Sequence, residues 1–268
     1  MRGRRFLWVI FAILSCIPVL AEPFPVHYAE GLVHGFLSLR TTDGALVANG
    51  DLIQSVKRGL VTSRLVFHFK DGSLSDETSV FSQQQSFRLI SNHLVQKGPT
   101  FPQPLDLKID CASGQVTVRY TDDHGHEKVE SERMKLPPEL ANGITPMLLK
   151  NIQAKSALPS MSMVVATPKP RLVKLELADA GEDPLTTGSM SRKATHYVVK
   201  IEIGGLAGLV APLLGKQPPD THVWILGGEA PAFVKSEGPM FLGGPFWRTE
   251  LVSPVWPSEP RPTATPKR

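Results

Sequence analysis

The densest run of potential ligands is Asp122-Asp123-His124-Gly125-His126-Glu127, which sets three carboxylates and two imidazoles within six residues. Imidazole nitrogens and carboxylate oxygens both coordinate zinc and similar ions, so His124, His126 and a carboxylate from Asp122 or Glu127 form the candidate set for a metal-dependent hydrolase. The same residue types also build tight turns, and strand-like residues flank them at Tyr120 and Val129. An ordinary hairpin loop is therefore the competing reading, with no metal or other cofactor required. His27, His34, His68, His93, His196 and His222 are scattered along the chain and are expected on the polar faces of strands.

Other chemistry is sparse. Asp76-Glu77 offers two adjacent carboxylates for acid–base work, but neighbours on a strand point to opposite faces, so the pair reads as the solvated part of a hairpin. The run from Gly208 to Lys216 superficially resembles a phosphate loop. Its first required glycine falls on Val210, however, and Gln217 stands where a magnesium-binding hydroxyl is needed. Neither a Gly-x-Ser-x-Gly elbow nor a His-Glu-x-x-His pair occurs, so no catalytic residue is assigned. Cys111 lies in Cys111-Ala112-Ser113-Gly114 between two strand-like runs and reads as a loop thiol without a special role.

The elements that carry these residues read as strands. Leu105, Leu107 and Ile109 alternate with Asp106, Lys108 and Asp110; Val116, Val118 and Tyr120 alternate with Thr117 and Arg119; Leu65, Phe67 and Phe69 alternate with Arg64 and His68. Period two with one polar face predicts an antiparallel sheet that is wet on one side. Asp43-Gly44, Asn49-Gly50 and Asp71-Gly72 are predicted hairpin turns. No helix-period segment interrupts residues 26–133, which argues against alternating βαβ units and a nucleotide-binding parallel sheet. Residues 136–157 predict a first short helix beginning at Pro138 and broken or kinked by Pro146. Residues 204–215, uncharged and mostly apolar, predict a second helical piece too short to cross a bilayer. The expected fold is mostly β: a single strongly curved antiparallel sheet or half-barrel, with the two helical pieces over its concave face.

Lys+Arg number 29 against Asp+Glu 25 in 268 residues, a net charge of +4 that invites a nucleic-acid partner. The excess is terminal. Without Arg2, Arg4 and Arg5 at one end, and Arg261, Lys267, Arg268 and Glu259 at the other, 23 basic and 24 acidic side chains remain. A nearly neutral body withdraws the nucleic-acid reading. Arg2-Gly3-Arg4-Arg5, an apolar run from Phe6 to Leu20 and Ala21 together predict a signal peptide over residues 1–21 and export to the periplasm or the extracellular space. A lipid anchor through Cys16 is the alternative. With residues 1–21 removed, Cys111 has no disulfide partner. A single domain is expected over residues 22–257, followed by a disordered proline-rich tail at 258–268.

The segments Phe67-His68-Phe69-Lys70-Asp71-Gly72, Gln96-Lys97-Gly98-Pro99, Leu140-Ala141-Asn142-Gly143 and Gly215-Lys216-Gln217-Pro218-Pro219-Asp220, with Trp224, carry a resemblance. The chain resembles a family of uncharacterised secreted bacterial proteins. In architecture these are similar to periplasmic lipoprotein carriers of the outer-membrane localisation type, in which a curved sheet wraps an apolar cavity. The resemblance implies no activity and no catalytic residues. Together with the one-sided strands it suggests a non-enzymatic protein that binds a lipid or another apolar ligand, with Phe67, Phe69, Leu206, Leu209, Leu213 and Trp224 as candidate cavity residues. An envelope-assembly role, with a sheet edge or the tail contacting a partner, is the third alternative.

Overall fold

In a computed structural model, the described residues are 24–122, 124–153, 156–167, 169–187, 190–202 and 218–253. They form fourteen strands: β1 Val33–Thr41, β2 Leu46–Lys57, β3 Leu60–Phe69, β4 Leu74–Gln83, β5 Phe87–Lys97, β6 Leu105–Asp110, β7 Gln115–Thr121, β8 Glu127–Arg133, β9 Met161–Thr167, β10 Lys169–Thr187, β11 Met190–Glu202, β12 Thr221–Leu226, β13 Ala232–Pro239 and β14 Phe246–Val252. All belong to one antiparallel sheet in the order β8-β7-β6-β5-β4-β3-β2-β1-β14-β13-β12-β11-β10-β9. The first and last strands meet in the middle, and β8 and β9 are the two edges.

The sheet must roll up, because a single apolar cluster draws on both of its flanks. Val61, Phe81, Leu89, Leu107, Ile109, Val116 and Val118 come from one flank, and Met161, Val164, Leu175, Leu177, Tyr197, Val199, Val223 and Ile225 from the other. Between them lies the chain that joins β8 to β9. Its residues Leu140, Ala141, Ile144, Leu148 and Leu149 are buried in the same cluster and plug the rolled sheet. A second cluster, Leu37, Leu39, Ala48, Phe67, Phe69, Phe101 and Trp247, fills the middle strands.

The plug corrects the expected start and break of the first helix. It contains the one helix among the described residues, the six-residue α1 Thr145–Lys150, with Pro146 in its first turn. Pro146 therefore starts the helix instead of breaking it, since a first-turn residue has no intrahelical partner for an N–H. Pro138 lies outside any helix. The predicted second helix at 204–215 falls outside the described residues, as do all of residues 1–21, with Cys16 among them, and all of 258–268.

Asp43-Gly44 and Asp71-Gly72 form turns between paired strands, as expected. Asn49-Gly50 does not turn; it lies within β2, where Gly50 pairs with Phe67. A Cβ on Gly50 would stand 2.5 Å from a Phe67 ring carbon, so this glycine makes room for an aromatic ring.

The two edges are protected differently. On β9, Ala141 N–H donates to the Ser162 carbonyl, and the Asn142 side chain accepts from Val164 N–H and donates to Val164 O, both at 2.9 Å. Asn142 thus satisfies the edge as a neighbouring strand would. Edge strand β8 instead carries the charged sequence Glu127-Lys128-Val129-Glu130-Ser131-Glu132-Arg133, which discourages pairing with another chain.

Candidate functional site

The 122–127 loop joins β7 to β8 as a turn. Asp122 Oδ1 accepts from the amides of His124 and His126, both at 2.9 Å. These amides hold its carboxyl below the usual carboxylate range against a partly opposing desolvation. Glu127 Oε1 is 2.6 Å from Arg119 Nη1, and the His124 and His126 ring centroids stand 6.3 Å apart on an exposed loop. Among the described residues, no group of three or more His, Cys, Asp or Glu side chains is placed to hold a metal ion. Burial, with Asp110 adding to it, pushes the Cys111 thiol up to about 11, so it stays protonated and unreactive at neutral pH.

Phe67 and Phe69 face inward. Phe69 lies edge-on to Phe101 at 5.2 Å and 5.7 Å from Trp247, so the two phenylalanines are part of a filled aromatic cluster. Leu206, Leu209 and Leu213 lie outside the described residues. Trp224 does not join Phe67 and Phe69. Its neighbours Val223 and Ile225 enter the core, which turns Trp224 to the outer face.

On that outer face Trp224 organises a polar cluster that one-letter patterning did not disclose. Its indole N–H donates to Asp183 Oδ2 at 2.7 Å, its ring stacks on His196 at 4.2 Å, and Lys235 Nζ sits 3.8 Å from its centroid. His196 Nδ1 is 3.4 Å from Asp183 Oδ2, and His196 Nε2 is 2.8 Å from His222 Nδ1. Burial, reinforced by His222, lowers the pKa of His196. A neutral His196 with its proton toward Asp183 must accept from His222, so the two rings and the carboxylate form a directed chain. The registers Asp183↔Ala194, His196↔Trp224 and Trp224↔Lys235 bring these groups together across the four strands β10 to β13, a pairing invisible before the topology is known.

The inner face holds a different arrangement. Gly35, Leu52, Leu65, Glu77 and Leu94 stand opposite one another on successive strands β1 to β5. This transverse row is half-buried. The inner-face positions on either side, Gln54, Ser63, Ser79 and Asn92 in one direction and Gly50, Phe67, Ser75 and Gln96 in the other, are buried. Leu251 of β14, 45% exposed, borders the row beside Gly35. Accessible leucines thus continue across a face that is otherwise core.

Glu77 lies in this row, and its position corrects the expectation that both Asp76 and Glu77 are solvated. Asp76 faces outward, with Arg64 Nε and Nη2 at 3.0 and 2.6 Å. Glu77 points inward, where burial raises its pKa and a hydrogen bond from Asn92 only partly offsets the effect. Asn92 Nδ2 donates to Glu77 Oε1 at 2.9 Å and to Ser79 Oγ at 3.0 Å. The plug presses on this group: a Cβ on Gly143, whose φ is +67°, would stand 2.1 Å from Ser79 Oγ and 2.8 Å from Glu77 Oε1.

Neither the family models nor the curated proteins compared with this sequence match it. Among solved structures, the chain is similar to a beta-barrel-like protein of the domain of unknown function DUF1849 from Brucella abortus. That likeness has 10% identity, a TM-score of 0.44, and coverage of 84% of this chain and 98% of the other.

Proposed function

We propose that the chain is an exported, non-enzymatic protein that binds an apolar or amphipathic ligand on the inner face of its rolled sheet. The observation that carries this reading is the half-buried row Leu52, Leu65, Glu77 and Leu94, bordered by exposed Leu251, between buried rows on the same face. Apolar side chains left accessible inside a concave sheet gain free energy when a chain-like ligand covers them, roughly 25 cal/mol per Å² of apolar surface removed from water. The charged N-terminal stretch followed by an apolar run supports export. The 122–127 loop does not favour the hydrolase reading, since Asp122 Oδ1 accepts from two amides of its own turn and, among the described residues, no group of three or more His, Cys, Asp or Glu is placed to hold a metal.

Titration of the protein with the apolar fluorophore N-phenyl-1-naphthylamine tests the proposal. The expected result is saturable enhancement near one equivalent, lost in Leu65→Arg but kept in Leu32→Arg, whose side chain is 85% exposed elsewhere. Circular dichroism confirms that both variants fold. Absence of saturable enhancement in the wild-type protein overturns the reading.

A further inference from the structure

On the basis of that inner-face reading, we infer that the ligand is a single-chain amphiphile with an ammonium head, seated with its head against the carboxylate oxygen of Glu77 that Asn92 leaves free and its chain along Leu52, Leu65 and Leu94. The inner row presents a carboxylate oxygen that no described side chain occupies. Glu77 stands in register between Leu65 on one side and Leu94 on the other, so its carboxyl is flanked by hydrocarbon. Its Oε1 accepts from Asn92 Nδ2, and its other oxygen has no hydrogen bond among the described residues. Both amide hydrogens of Asn92 are used, one by Glu77 and one by Ser79. Asn92 Oδ1 is buried with no hydrogen-bond partner among the described residues. A buried acceptor without a donor costs about 1–3 kcal/mol, so the site is incomplete as it stands.

Charge points the same way. Burial raises the pKa of Glu77 and the Asn92 amide partly offsets it, with no basic side chain of the described residues contributing. The partly buried cation of the plug, Lys150, is already matched by Glu30 at 2.6 Å. A ligand carboxylate or phosphate would bring a second anion to an uncompensated one. An ammonium head instead donates to the unused oxygen of Glu77, and it relieves the cost of ionising Glu77 in a desolvated place. The neighbouring leucines suit the attached methylene chain.

Isothermal titration of the full protein with decylamine, decanol and decanoate at neutral pH tests this. The expected order is decylammonium tightest, at least tenfold over decanoate, with Glu77→Gln bringing the two within a factor of about two or three. On the wild-type protein the preference for the ammonium should also grow as pH rises and Glu77 ionises, a readout that needs no variant. If decanoate binds as tightly as decylammonium and Glu77→Gln changes neither, the head-group assignment is wrong while the apolar site stands. If none of the three binds, the inner-face reading itself fails.

Discussion

Substituting Gly143 by alanine isolates how the plug is held. Two costs act at this position. The residue sits at φ +67°, where an L side chain costs about 1–2 kcal/mol. In addition, the new Cβ would stand 2.1 Å from Ser79 Oγ and 2.8 Å from both Asn92 Nδ2 and Glu77 Oε1, so the 142–143 segment must lift away from the sheet. Overpacking of this kind costs a further ~1–3 kcal/mol. Gly125 provides the control, with φ +79° and nothing within 4 Å of its Cβ position. Gly143→Ala should therefore lose about 2–5 kcal/mol and Gly125→Ala only about 1–2. At a urea slope of about 2 kcal/mol per molar, the difference separates the two unfolding midpoints by roughly 0.5–1.5 M. Adding Ser79→Ala to Gly143→Ala removes the nearest clashing atom, so the double variant should lose less than the sum of the two single losses. Urea titration followed by circular dichroism measures all four proteins. Coincident midpoints for Gly143→Ala and Gly125→Ala would refute the seating of the plug on Glu77, Ser79 and Asn92.

Glu77 also sets a pH dependence. Its folded pKa is raised above the unfolded value, so the folded state binds the proton more tightly. Stability should be greatest below the unfolded pKa and should fall as pH rises toward the folded pKa. Glu77→Gln removes this component, so its urea midpoint should vary less with pH over that window than that of the wild type; equal slopes would contradict the burial of the carboxyl. At the sheet edge, Asn142→Ala deletes both hydrogen bonds to Val164 and should destabilise by about 1–3 kcal/mol. It also bares backbone groups of β9, so light scattering during prolonged incubation should rise, and unchanged stability would mean that the amide does not protect the edge.

The strands are legible wherever one face is apolar. Phe67 and Phe69, and likewise Val116 and Val118, alternate in sequence and enter the core in the structure, with half-buried Leu65 packed against it. The distal part of β10 was not legible. Its Gly181-Glu182-Asp183-Pro184 run follows a register shift after Asp179 and has the composition of a loop, yet it pairs with β11. Gly50 and Pro146 were misread for a common reason. Each has a local meaning, a turn or a helix break, that a distant ring or a helix start replaced once tertiary contacts formed. The candidate site was legible only in fragments. Leu65 and Glu77 stand out as apolar and acidic strand residues, but pairing register alone puts Leu52, Leu65, Glu77 and Leu94 in one line. The link between Asp183, His196 and His222 depends on the same kind of long-range information.

The meeting of β1 with β14 has a consequence for how the molecule comes into being. Strands β1 to β8 can zip together pair by pair as the chain is made, each beside the strand just finished. The open side of β1 must wait for Leu251 and its neighbours in β14, the last of the described strands to be synthesised. Contacts so distant in sequence form slowly and leave an intermediate with a bare, hydrogen-bonding margin. The junction that unites the two halves of the sheet is thus also the last to be secured, and the period before it closes is when the nascent protein most needs shielding from other chains.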